Sequence, residues 1–166
     1  MRGIVLVLFI TIMMSCKTDK STSETSFKAE TSQDTVDQST QQETNSDWTV
    51  YEGAENKKPA EVSLFEAKGL QTRLKSMLKD EYTTFQKDWK VESPIIIQDK
   101  ILFTAGCQSG DCKANKYILI IDFMDNNINI INFKYGRVRS WEERAVIGLP
   151  DKLLAQFESI RKDQGL

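Results

Sequence analysis

The stretch Ile101-Leu102-Phe103-Thr104-Ala105-Gly106-Cys107-Gln108-Ser109-Gly110-Asp111-Cys112-Lys113-Ala114-Asn115-Lys116-Tyr117-Ile118-Leu119-Ile120-Ile121-Asp122-Phe123 decides the fold. Two apolar, β-branched runs of strand length, Ile101 to Ala105 and Tyr117 to Phe123, flank a polar loop bracketed by two cysteines. Upstream, Ile95-Ile96-Ile97 is parted from Ile101 only by Gln98-Asp99-Lys100, which reads as a hairpin. Downstream, Asp125-Asn126-Asn127 is a turn signal, and Ile128 to Tyr135 follows as a strand with Ile128, Ile130 and Phe133 alternating with Asn129 and Asn132. Gly136 punctuates, and Val138 to Trp141 adds a short strand. Links this short require antiparallel pairing, so the centre of the chain is a meander of four or five strands.

The periodicity changes on either side. Leu70, Leu74, Met77, Leu78, Tyr82, Phe85 and Trp89 recur at spacings of three and four, with Lys75, Lys79, Asp80 and Lys87 on other faces. This predicts an amphipathic stripe on two helices with a break near Asp80. Beyond the meander, Pro150 suits a helix start, where its missing N–H is least felt, and Leu153, Leu154, Phe157 and Ile160 mark a final helical face. Helix, antiparallel meander, helix is an α+β domain, its sheet flanked by N-terminal and C-terminal helices.

This domain occupies residues 48–166. Residues 1–15 read as a lipoprotein signal peptide. Arg2 gives the positive start, and Gly3 to Met14 is an apolar run of 12 residues, short of the roughly 20 that span a bilayer. Met13-Met14-Ser15-Cys16 is similar to a bacterial lipoprotein cleavage box, which makes Cys16 the lipidated mature N-terminus and membrane anchor. Residues 16–47 are rich in Ser, Thr, Gln and acids, too polar to form a core, and read as a disordered tether. Lys17 to Asp47 carries three lysines against seven acids, which leaves 18 basic and 17 acidic residues from Trp48 onward. The domain is nearly neutral and has no basic–aromatic stripe, which argues against nucleic acid and against strong steering of charged partners.

Much chemistry is excluded by what is absent. The chain has no histidine, which removes the usual general base, the Ser–His and Cys–His pairs and the commonest metal ligand. Gly106 and Gly110 fit no phosphate-binding fingerprint. Two cysteines alone cannot fill a zinc site, and their spacing is not that of a reactive dithiol. Neither metal nor cofactor is expected. The acids Asp122, Asp125, Glu142 and Glu143 read as solvated, and neighbours on a strand point to opposite faces, so Glu142 and Glu143 should not converge. A hydrolase using Asp122 or Glu142 is the least favoured function.

With Cys16 assigned to the anchor, an exported domain keeps Cys107 and Cys112 as an even pair, best read as a disulfide. Closing so short a loop contributes roughly 2 kcal/mol by the chain-entropy estimate. A stiffer tip also loses less entropy on binding. The pair is therefore either the frame of a binding loop or a staple in an envelope interaction module that binds another protein elsewhere.

Ala105-Gly106-Cys107, four residues, Cys112, Asn115 and the apolar strand from Tyr117 to Phe123 resemble the inhibitors of vertebrate (c-type) lysozyme, the Ivy family. The helix Leu70 to Phe85 and Ser93-Pro94 with its isoleucine strand extend the resemblance over about Leu64 to Phe133. It implies a non-enzymatic protein of the bacterial cell envelope, lipid-anchored here, with its domain in the periplasm or on the cell surface. Its implied partner is a lysozyme, a peptidoglycan-cleaving glycosidase, and a dimer is one option. It also implies that Gln108, Ser109, Gly110 and Asp111 form the partner-binding loop. The family's loop carries a basic residue and a histidine; Gln108 and Gly110 hold the matching positions, and Asp111 matches the acid before the second cysteine.

Overall fold

The computed structural model describes residues 47–166. The segments read as signal peptide and tether, with Cys16, lie outside them up to residue 46.

The helical stripe forms as the spacing predicts. α1 spans Lys68–Leu78 and α2 spans Tyr82–Asp88, joined by a tight turn over Lys79–Glu81 where Lys79 has a positive φ of 50°. Ahead of them, three single-turn segments, Trp48–Tyr51, Pro59–Val62 and Leu64–Glu66, bury Trp48, Tyr51, Pro59 and Leu64. Their short, irregular turns leave no periodic signal in the sequence.

The sheet has six strands: β1 Val91–Glu92, β2 Ile96–Gln98, β3 Ile101–Cys107, β4 Asn115–Asp122, β5 Asn127–Lys134 and β6 Arg137–Glu142. All pairings are antiparallel, and β3 to β6 run in chain order. The added strand is β1, two residues too short to read from sequence. It pairs with Gly106 and Cys107 at one end of β3, while β2 pairs with Ile101 to Phe103 at the other. The β2–β3 hairpin turns on Asp99 and Lys100, both at positive φ (51° and 63°), the left-handed pair that two-residue hairpins use.

Both faces of the sheet are covered, which is why β4 reads as an unbroken apolar run. On one face Leu102, Tyr117, Leu119, Ile121, Ile128 and Ile130 pack with α1, α2 and the N-terminal turns. On the other, Phe103, Ile118, Ile120 and Phe133 pack with Leu153, Phe157 and Ile160 of α3, Asp151–Asp163. Leu154 departs from the expected face; it is 45% exposed, because the buried stripe of α3 is Leu153, Phe157 and Ile160.

The alternation in β5 also resolves differently. Asn129 and Asn132 are buried, not solvated. Asn129 donates to the Ala145 carbonyl (2.9 Å) and accepts from the Ile147 N–H (2.7 Å), holding the chain beyond β6 against the sheet.

Candidate functional site

The cysteine loop sits where β3 ends and β4 begins. Cys107 and Cys112 form a disulfide with their Cα atoms 5.0 Å apart. Inside the bracket the Asp111 N–H donates to the Gln108 carbonyl (3.0 Å), and the Asp111 carbonyl accepts from Ala114 and Asn115 (3.1 and 3.0 Å). Gly110 lies at φ +80°, a region where a side chain is strained. Gln108, Ser109 and Gly110 are exposed and Asp111 is half-buried. Among the described residues no ion pair ties Asp111 to Lys113 or Lys116.

The base of the loop is fixed from three sides. Val91 pairs with Cys107. Gln164, at the end of α3, donates through Nε2 to the Cys112 carbonyl (3.2 Å). Trp89 lies flat against Gly106, where an added Cβ would stand 2.3 Å from the indole ring. Gly106 is thus a packing glycine, made necessary by the tryptophan that closes α2.

Behind the loop runs a buried polar chain that sequence patterning did not identify. The Asn132 amide donates to Asn115 Oδ1 (2.8 Å), and the Asn115 amide donates to Asp88 Oδ2 (2.8 Å). All three residues are at most 6% exposed. Only Asn132 stands out in sequence, inside an apolar strand; Asp88 and Asn115 lie among charged neighbours, and no spacing links the three. Next to them, burial pushes the Tyr117 hydroxyl up to about 12, with the carboxylates of Asp88 and Glu81 adding to the shift.

Beside the loop, β5 and β6 turn at Tyr135 and Gly136, both at positive φ (50° and 72°). The Tyr135 N–H donates to the Ala114 carbonyl (2.8 Å), which joins this turn to the segment leaving Cys112. Between the turn and α2 lies a groove of about 480 Å³ bordered by Tyr117, Lys134, Tyr135 and Arg137. Arg139, also on its wall, is paired with Glu81 at 2.6 Å.

The candidate acids do other work. Asp122 Oδ1 accepts from the N–H groups of Met124 and Asp125 (2.8 and 3.0 Å) and shapes the β4–β5 turn. Asp125 and Glu142 are exposed. Glu143 is not a solvated acid. Its Oε1 accepts from Arg73 Nε (2.7 Å), its Oε2 pairs with the same guanidinium, and Arg73 is only 5% exposed. Arg73 reads in sequence as one more helical cation; its burial follows from packing between elements 70 residues apart. Among the described residues, no group of His, Cys, Asp and Glu is arranged to hold a metal ion, and no helix is long and apolar enough to cross a membrane.

No curated protein and no solved structure gives a match to this chain. One family model does, the one described as inhibitor of vertebrate lysozyme (Ivy), over residues 69–163. That span runs from the start of α1 to the end of α3 and takes in the whole sheet and the cysteine loop. It is more than half of the 166 residues, and on that ground the chain belongs to the Ivy family.

Proposed function

We propose that the protein is a cell-envelope lipoprotein, anchored through Cys16, that binds and blocks a peptidoglycan-cleaving glycosidase of the lysozyme type. The observation that carries this reading is the disulfide-closed loop Gln108-Ser109-Gly110-Asp111, exposed at the end of the sheet in a member of a family described as lysozyme inhibitors. The cleft of such an enzyme holds two carboxylates that flank the scissile bond. A loop entering it gains by offering donors. Gln108 offers an amide, Ser109 a hydroxyl and Gly110 an open backbone N–H. The loop is held before binding by the disulfide and by the turn from Asp111 to Gln108, so little ordering entropy is lost on docking. Blockade by occupation needs no turnover, which suits a chain without histidine.

The test is inhibition of peptidoglycan lysis by a panel of lysozymes, comparing the protein with Gln108→Ala and Ser109→Ala. Weaker inhibition by the variants at unchanged thermal stability supports the reading. Absence of both inhibition and binding across the panel defeats it. Loop variants that capture their partner as the parent does would instead make the disulfide a staple. The anchor is tested separately: Cys16→Ala should release the protein from the membrane fraction.

A further inference from the structure

We infer that the binding surface is composite: the β5–β6 turn, Lys134-Tyr135-Gly136-Arg137, is a second contact that supplies the positive charge absent from the cysteine loop. This rests on the reading above, in which the partner is a glycosidase with an acidic cleft.

Position comes first. The strand register sets Asn115, at the base of the loop, opposite Lys134, and Lys134 opposite Arg137. Neighbouring strands lie about 4.8 Å apart, so the turn stands beside the loop on the same end of the sheet. The hydrogen bond from the Tyr135 N–H to the Ala114 carbonyl (2.8 Å) makes the two tips one unit.

The chemistry of the turn points outward. Tyr135 is 71% exposed although its backbone is held at φ +50°. That conformation favours Gly, Asn or Asp and is unfavourable for a bulky side chain. A large aromatic kept there without packing into the core is unexplained by stability, and tyrosine is among the residues that dominate interfaces. Lys134 and Arg137 flank it, exposed and without an ion pair among the described residues. The near-neutral total charge of the domain therefore hides a local excess of cations at the loop end.

Size points the same way. A specific interface buries about 800 Å² on each partner through some 20 residues or more. Four loop residues fall well short, and the adjoining turn supplies part of what is missing without a new element. Asp111, which alone would oppose an acidic cleft, is then outnumbered by Lys134 and Arg137 at the same end of the sheet.

The experiment measures the affinity of the full chain for the same panel of lysozymes, vertebrate c-type lysozyme included, at low and high ionic strength. Three variants are compared with the parent: Tyr135→Asn, Lys134→Glu/Arg137→Glu and Gln108→Ala/Ser109→Ala. Asparagine accepts the left-handed turn, so Tyr135→Asn keeps the hairpin. It should weaken binding by about 30-fold, the loss of one interface anchor. The double charge reversal should weaken it by roughly 100-fold at low ionic strength and much less at high. If both turn variants bind as the parent does while the loop variant is weakened, the composite surface is wrong and the loop reading stands. If the parent binds no lysozyme, both fall.

Discussion

Replacing Arg73 with methionine should destabilise the domain by about 3 kcal/mol without altering its binding surface. Arg73 donates to Glu143 through Nε (2.7 Å), to Asn126 Oδ1 through Nη1 (2.6 Å) and to the Asn126 carbonyl through Nη2 (2.7 Å). Its guanidinium lies 5.1 Å from the centre of the Trp48 ring, and Trp48 itself donates to Asn126 Oδ1 (2.9 Å). One side chain on α1 therefore joins the N-terminal turn, the β4–β5 turn and the segment after β6. Removing one partner of a buried pair costs roughly 3–5 kcal/mol, most of it from the charge left behind. Glu143 remains 22% exposed and can regain some water, which places the expected loss at the low end. A loss of that size lowers the melting temperature by on the order of 10 °C in a domain this large. The assay is a double-mutant cycle by urea and thermal unfolding with Arg73→Met, Glu143→Leu and the pair combined. The double variant should be more stable than Arg73→Met alone, because it leaves no unpaired carboxylate. Losses that add to within about 0.5 kcal/mol would refute the coupling. A change in lysozyme affinity of the folded fraction would refute the claim that this end of the sheet is remote from the site.

Two further outcomes follow from the loop end. Gly106→Ala should lower stability by about 1–3 kcal/mol, since Trp89 must leave its place on β3; loss of the tryptophan's buried fluorescence signature checks it, and a neutral substitution contradicts the packing. Tyr117→Phe should flatten alkaline unfolding. Its hydroxyl ionises near 10.0 in the unfolded chain and about 12 in the fold. Below pH 10 both states keep the proton and stability is complete. Between the two values the unfolded state holds fewer protons, so stability falls with rising pH, by about 3 kcal/mol in all. Burial also raises Tyr51 and Tyr82, so the phenylalanine variant should lose about one proton of the slope; an unchanged slope counts against the assignment.

The fold was legible where side chains repeat. The stripe from Leu70 to Trp89 placed α1 and α2, and the break near Asp80 is the turn at Lys79. The isoleucine runs and the Asp125-Asn126-Asn127 turn placed the meander. Periodicity failed where a residue's environment depends on a distant element. Asn129 and Asn132 alternate with isoleucines and look solvated, yet each finds a buried partner that chain spacing does not announce. Glu143 looked like a surface acid because its partner lies 70 residues earlier. The disulfide was legible from counting cysteines. The aromatic turn beside it was not, because Tyr135 read as the end of an apolar strand until its backbone placed it at positive φ, 71% exposed.

The two ends of the sheet carry different constraints, and this bears on how such a protein changes partner. At the β4–β5 end, Arg73, Asn126, Glu143 and Trp48 satisfy one another, so a change at any one strands the others. At the loop end, the supports are Trp89 on Gly106, Gln164 on Cys112, and Asp88 behind Asn115. All of them hold the base of the loop or the disulfide. None engages the side chains of Gln108, Ser109 or Asp111, and the contacts within the loop fall on backbone groups and the disulfide. Its three side chains can therefore be exchanged at little expense in stability, with Gly110 kept for its φ of +80°. A loop without cations is thus compatible with an intact Ivy framework. On the composite surface proposed above, the charge that would meet an acidic cleft is free to reside on the neighbouring turn, where Lys134 and Arg137 have no ion pair among the described residues to lose.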